Sequence, residues 1–580
     1  MSDQQPPPGP PGPPPYGPPP SQPPYGPPPS QMLAGVPPQP RNTRKILIGA
    51  GAVVAAAALV GGGAFAAASL LGGDDDEGPA VAEALPSTTF AFASVDLSKA
   101  GGAISLVKKF PGLSEDAGAD DLGSGDDMAQ KLIGEVLGDA GDLCGGLTWE
   151  KDFAPWLGHS AAIAGVDVGG SPAPVGLIQS TDDAKAKTEL SKLSDCAEGH
   201  LAGTVRDGWV VVSTSQATVT QVVDATGKGS LADEKSYRDQ MGSIGDQGAL
   251  TMYAGPKTGD LLSKALESYG DMLGGVSGSG SDFGWFAYGD GDGAYSGDDD
   301  SGPAALLEQA CPGLGDPSGL MQSYQSALAG FGGAAATLRF EDGGVELEAA
   351  ADLGKAGGAG DKAGALVGSL PSDTAAALGV SMGDGWFDQV LTNLGQVCGG
   401  SFDAKTVEDR LSQLTGLTFP DDIETLVGDG FALAVGDGID FDAPTPAGQP
   451  IGAKITGDAS GIDDVIAKIR AAINRSGEND EGMLETDTSG DTVAVGPDAG
   501  YRTRLLEDGK LFGDTTFKDV VPEIDKASMV AYVDFDAFDG MVEKDGSSDD
   551  LANFKPLKAL GLSTWYDGTV SHTFLRLSTD

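Results

Sequence analysis

The chain has little of what most enzyme chemistries require. Its 580 residues include three histidines, four cysteines and only 35 lysines and arginines against 85 acidic residues. His159, His200 and His572 stand at no ligand-like spacing and no Cys-x-x-Cys pair occurs, so no metal site is expected. No Gly-x-Ser-x-Gly elbow frames a nucleophile, which argues against a Ser-His-Asp triad. Walker and dinucleotide motifs are missing, as are basic-aromatic patches, so neither a cofactor nor a nucleic-acid partner is expected. Aromatics make up 6% of the chain, which leaves Ala, Val, Leu and Ile to build the cores. The net charge of −50 repels nucleic acid and anionic membrane surfaces and keeps the chain soluble.

Charge itself is missing from one stretch. Ile46 to Leu71 is 26 residues without an ionisable side chain, about 39 Å as a helix and enough to span a ~30 Å hydrocarbon core with tilt. Arg41, Arg44 and Lys45 precede it, and Asp74, Asp75, Asp76 and Glu77 follow it. The positive-inside rule places 1–45 in the cytoplasm and the rest outside. A cleaved signal peptide is the competing reading, with Ala64-Phe65-Ala66 as a small-residue site. The long leader and long apolar run speak against it. The first 40 residues hold 19 of the 37 prolines, with Tyr16–Gln22 repeated at Tyr25–Gln31. Such a tract buries no core and is expected to be disordered, as a docking tail or a spacer.

Cys144, Cys196, Cys311 and Cys398 all fall in the exported part, where an oxidising compartment favours two disulfides. Three pairings are open, and the shorter loops favour Cys144–Cys196 with Cys311–Cys398.

The exported part reads as a duplication. Leu85-Pro86-Ser87-Thr88-Thr89 is echoed by Leu370-Pro371-Ser372-Asp373-Thr374, each leading into an apolar strand. Leu147–Phe153 is echoed by Leu417–Ile423, and a strand at Pro174–Ile178 by one at Pro450–Ile455. The following helix ends near Leu193 in the first half; in the second it shows Ile462, Val465, Ile466, Ile469 and Ile473 at helical spacing. Hairpins at Val205–Val212 and Thr486–Val495 lead into helices near 215–226 and 499–507. Later strands at Ala249–Ala254 and Met529–Val533, and final hairpins at Leu338–Ala350 and Leu562–Leu577, complete the series.

The expected fold class is therefore α+β: two tandem duplicated lobes, each a mainly antiparallel sheet with packed helices, after one transmembrane helix and a Pro-rich tail. The βαββα run within each is analogous to a split ferredoxin-like unit. The expected parts are the tail 1–45, the span 46–71, an acidic linker 72–83, a first lobe 84–354 with an insertion at 258–331, and a second lobe 366–580. The insertion holds an amphipathic run (Leu262, Leu266, Tyr269, Leu273) and a glycine-serine-aspartate stretch, Gly274–Gly302.

The Pro-rich tail, single span, acidic stalk, Leu-Pro-x-x-Thr opening and paired α+β halves resemble actinobacterial membrane proteins grouped as domain of unknown function 3352. The resemblance covers roughly 84–580. It implies an envelope location in a high-GC Gram-positive cell and brings no catalytic residues.

Three chemical signals remain. Ser105-Leu-Val-Lys108, Ser194-Asp195-Cys196 and Lys257-Thr258-Gly259 imitate the three elements of a penicillin-binding serine enzyme, which must converge on one site. None has a copy in the second half. Asp290-Gly-Asp292-Gly begins like an EF-hand loop, but Ala294, Tyr295 and Ser301 stand where ligands, glycine and glutamate are required. Trp149, Trp156, Trp209, Trp285, Trp386 and Trp565 are read as core anchors before ligand contacts. The reading is a non-enzymatic envelope protein that binds or scaffolds a polymer, lipid or protein, with a cell-wall serine hydrolase as the alternative. A sensor relaying occupancy to the tail lacks a cytoplasmic effector domain.

Overall fold

In this computed structural model, residues 80–99, 101–111, 148–196, 201–261, 330–341, 343–354, 359–398, 402–440, 443, 445–476, 482–540 and 552–580 are described. The tail, the span and residues 72–79 of the acidic linker lie outside them, as does most of the 258–331 insertion with its amphipathic run. Among the described residues no helix is long and apolar enough to cross a membrane.

The first stretch of chain supplies strands β1 (Thr89–Asp96), β2 (Leu157–Val168), β3 (Ser171–Ser180), β4 (Ala202–Arg206), β5 (Trp209–Ser213), β6 (Leu250–Ala254), β7 (Gly333–Arg339) and β8 (Val345–Asp352). The second supplies β9 (Thr374–Val380), β10 (Gly430–Gly436), β11 (Ile451–Thr456), β12 (Thr486–Ser489), β13 (Thr492–Val495), β14 (Ala527–Asp534), β15 (Leu557–Asp567) and β16 (Val570–Thr579). All pair antiparallel in one sheet ordered β12-β13-β11-β10-β9-β14-β15-β16-β8-β7-β6-β1-β2-β3-β5-β4. Counted outward from the β8–β16 junction, both sides give the same succession. The β3–helix–β4–β5 run forms a split unit: the strand after the helix stands at the edge and its hairpin partner returns between.

The helices are α1 (Val81–Ala84), α2 (Gly101–Lys109), α3 (Asp183–Cys196), α4 (Gln216–Thr226), α5 (Lys235–Met241), α6 (Ala363–Gly368), α7 (Trp386–Cys398), α8 (Ala404–Thr415), α9 (Asp421–Val427), α10 (Ala459–Ser476), α11 (Ala499–Leu506) and α12 (Thr515–Val520). Alternation along the strands sends Phe92, Val175, Leu177, Val211 and Tyr253 to one face, where they pack with residues of α1, α4 and α5. In the second stretch Ala377, Ala432, Val530 and Tyr532 share that face with α6, α11 and α12. On the opposite face α10 buries Ile462 and Ile466 against Ile455 and Val493. Each such fully buried aliphatic side chain contributes about 1.5–3 kcal/mol. The spacing that predicts α10 is thus the row that anchors it.

Matching local devices recur on the two sides. Ser215 caps α4 through the Thr218 amide at 3.1 Å, and Asp498 caps α11 through the Tyr501 amide at 2.6 Å. The carbonyl of Leu85 accepts from the Leu231 amide (2.8 Å) and that of Leu370 from the Leu511 amide (3.1 Å). Both leucines are fully buried, which is what the repeated Leu-Pro opening does.

Two separate lobes are expected from the sequence, but the sides share one continuous sheet. β16 pairs β8 from Val570↔Asp352 to Leu577↔Val345. Across β7, β8 and β16 a row of charge runs on the helix-covered face. Glu346, 9% exposed, accepts from Arg339 Nε at 2.7 Å and from Arg576 Nη1 at 3.2 Å. Arg339 also pairs with Glu348 and donates to the carbonyls of Ile244 (3.0 Å) and Asp246 (2.7 Å). Arg576 reaches Asp519 of α12 at 3.3 Å. Removing Glu346 takes a carboxylate partner from two poorly solvated guanidiniums at once, leaving Arg339 with Glu348 and Arg576 with Asp519. Glu346→Ala is expected to lower stability by about 3–5 kcal/mol, read by urea denaturation, while Glu83→Ala on the exposed part of α1 stays within about 0.5 kcal/mol.

Candidate functional site

The serine-enzyme elements do not converge. Ser105 and Lys108 are exposed on α2, which follows the Asp96 end of β1. Lys257 is exposed just beyond β6, whose Ala254 pairs with Ala91 at the other end of β1. The Thr258 hydroxyl is buried and donates to the Phe90 carbonyl at 2.6 Å, fixing that end. Six residues of strand between Phe90 and Asp96 separate the two motifs by roughly 20 Å. Ser194, near the end of α3, donates to the Leu201 carbonyl at 2.9 Å. A nucleophile and base must stand within hydrogen-bond reach, and these placements do not provide that.

The histidines also take structural places. His159 lies in β2, its amide donating to Gln179 Oε1 at 3.0 Å. His572 lies in β16 and stacks on Trp565 across the hairpin, ring centroids 5.0 Å apart and nearly parallel. Burial lowers the His572 pKa, with Asp567 and Glu348 opposing. His200 is outside the described residues. Among those residues no group of His, Cys, Asp and Glu is arranged to hold a metal ion, and the Asp290 loop lies outside them.

Cys196 ends α3 and Cys398 ends α7; Cys144 and Cys311 lie outside the described residues, as does Trp285. Trp156, Trp209 and Trp565 are buried, and Trp386 is half-buried with its ring edge-on to Phe387. Trp149 opens the helical turn Trp149–Phe153.

The echoed Leu-Thr-x-x-x-Asp segments build one clamp twice, which sequence reasoning singled out without its lysines. Asp152 accepts from the Thr148 amide at 2.7 Å and from Lys192 of α3 at 3.0 Å. Asp422 accepts from the Thr418 amide at 2.7 Å and from Lys468 of α10 at 2.7 Å. The Thr148 amide and Lys192 hold the Asp152 pKa below the usual carboxylate value. At Asp422 burial pulls upward, but Lys468 and the Thr418 amide outweigh it and the net shift is also downward. A buried cation, Lys454 of β11, is 4% exposed and donates to the Ser369 hydroxyl (2.9 Å) and to the carbonyls of Ser369 (3.3 Å) and Glu507 (3.2 Å). It thereby caps the C-termini of α6 and α11, and its burial lowers its pKa against the pull of Asp508.

A surface fit for binding lies on the other side of the sheet. Register places Ala91, Ala93 and Val95 (β1) on one face with Leu250, Met252 and Ala254 (β6). The same face continues across β7, β8, β16, β15, β14, β9 and β10, ending at Phe431, Leu433 and Val435. No charged side chain faces outward there within the paired positions of these nine strands, a width of roughly 40 Å. α2 covers one end through Leu106 and Phe110 against Leu250 and Leu338. At the other end Leu378 and Leu433, a directly opposed cross-strand pair, are 38% and 45% exposed. The open end is thus an exposed apolar pair on a strongly acidic chain.

The clamps give a pH dependence. Both carboxylates are depressed in the fold, so their stabilisation is present above the unfolded value of 3.8 and is lost as pH falls through the folded pKa. The Asp152→Asn/Asp422→Asn double variant is expected to lose part of the acid-side slope of unfolding free energy below about pH 4, measured by urea titration across pH. An unchanged slope would remove the clamps as its source.

No family model, no curated protein and no solved structure matches the chain.

Proposed function

We propose that this is a membrane-anchored extracytoplasmic protein with a non-enzymatic role, binding lipid acyl chains on the uncharged face of its sheet. The single observation that carries the reading is the exposed Leu378–Leu433 pair at the open end of that face. A sheet interior offers no free backbone donors, so it selects hydrocarbon over peptide, which would leave its own polar groups unpaired. The uncharged 46–71 run and its basic and acidic flanks support the anchor and its orientation, which would hold the face beside a lipid source. In this reading the two sides of the sheet are a tandem duplication, supported by their mirrored strand order and by the paired clamps and caps. The resemblance to the domain of unknown function 3352 proteins agrees with this address.

The full chain purified in mild detergent is expected to carry lipid detectable by mass spectrometry and to bind a fluorescent fatty acid. Leu378→Asp/Leu433→Asp should weaken that binding at least about tenfold, since a carboxylate cannot be desolvated against hydrocarbon. Equal binding by the variant would sink the lipid reading. Protease added outside intact cells should remove the 74–580 part and spare the tail; protection of that part would reverse the orientation.

A further inference from the structure

On the first side a helix lies on the uncharged face; on the second the corresponding helix leaves part of that face open. α2 follows β1 and, with Phe110, packs Leu106 on Leu250 and Leu338. Register carries these two leucines in one row across the strands, through Leu575 and Ala531, to Leu378 and Leu433. α7 follows β9 as α2 follows β1. It stands on the same side of the sheet. Phe387 meets Phe419 with ring centroids 5.6 Å apart, and Phe419 leads into α9, whose Leu426 joins the cluster of Ile455, Ile462 and Ile466 on that face.

The apolar stripe of α7 is only partly used. Phe387, Val390, Leu391 and Leu394 recur at the spacing that puts them on one helix face. Phe387 and Leu391 are buried, whereas Val390 is 49% exposed. Leu378 and Leu433, at the end of the row, are exposed as well. Between β9 and α7 stands Gly385, in left-handed backbone at φ +68° with open space where a Cβ would be. The 13 residues of α7 measure about 20 Å, enough to reach over about four strands.

We infer that α7 is a lid on the lipid-binding face: it turns about Gly383–Gly385 and lays Val390 over an acyl chain held on Leu378 and Leu433, where α2 lies permanently on Leu250 and Leu338. The inference rests on the lipid reading and adds to it the residue that closes the site. Two glycines in three residues let the backbone turn at that point without side-chain strain. Phe387, two residues from the hinge, keeps the helix attached to Phe419 as it turns. An acyl chain on the sheet alone keeps one of its sides in water, and the unused part of the α7 stripe supplies the missing apolar cover.

The test is hydrogen exchange read by mass spectrometry on the full chain in mild detergent, with and without the fluorescent fatty acid. Exchange over 386–398 is expected to slow at least about fivefold on binding, while 101–109 of the docked α2 stays unchanged. Val390→Asp, at an exposed position that the fold tolerates, should weaken fatty-acid binding about tenfold, the scale of one buried valine; Val390→Leu should keep it. Fatty acid bound with no change in exchange over 386–398, or equal binding by Val390→Asp, overturns the lid and leaves the lipid reading standing. No binding by the unaltered chain overturns both.

Discussion

Everything in this molecule hangs on the junction at which β8 meets β16. Each of these strands ends its own meander and would be an exposed edge without the other, with a row of unpaired amides and carbonyls. Eight consecutive residue pairs close both edges at once. Alone, such pairing of half-apolar strands is weakly specific, because a shift by two residues preserves the same faces. Glu346 fixes the register. It is directly opposite Arg339 on one side and Arg576 on the other, and a slip in either ladder takes it out of line with its arginine in a poorly solvated layer. The network therefore contributes specificity more than net stability. It also takes away the hinge that a pair of separate lobes would have, and with it the interlobe cleft in which a ligand would be sought.

What repeats across the junction and what does not sort the residues by role. The caps at Ser215 and Asp498, the leucine carbonyls of the Leu-Pro openings, and the Thr-Asp-Lys clamps recur because each satisfies a backbone group that the shared topology exposes. Trp209 corresponds to Thr492, Glu83 to Gly368 and Leu177 to Lys454 in the same comparison, and the last exchange gives the second side a cation for the carbonyls of Ser369 and Glu507. The order of strands is the same on both sides of the junction, while these residues differ between them.

The sequence made much of the fold legible, and its silences have causes. Asp207-Gly208 and Asp567-Gly568 mark hairpins because left-handed backbone at Asp207, Gly208 and Gly568 is cheap for those residues. The isoleucine row of α10 is a clean helical stripe. The α7 and α8 helices carry a weak sequence signal because glycine-rich surroundings dilute their pattern, although Asp403 and Gly416 bracket α8 as cap and left-handed terminus. Asp152 and Asp422 stood out as echoes, but their lysines lie 40 and 46 residues away and only packing joins them. The junction is out of reach for the same reason: Glu346 and Arg576 are 230 residues apart, and alternation along a strand shows its faces but not its neighbours.

The uncharged face became visible only when register was known, since along each strand its residues alternate with buried ones and look like ordinary core. On the helix-covered face of the same strands stand Arg339, Glu346, Glu348, His572 and Arg576, so the strands are not short of charge. Charge has been sorted to the side where helices and partner ions neutralise it. The opposite side is left with apolar residues and the uncharged Thr564, Tyr566, Ser571 and Thr573 over roughly 40 Å of sheet. In a chain of −50, self-repulsion favours spreading charge over every available surface. A face that stays free of it against that pressure is the feature on which the proposed lipid binding rests, with the Leu378–Leu433 pair exposed at its open end.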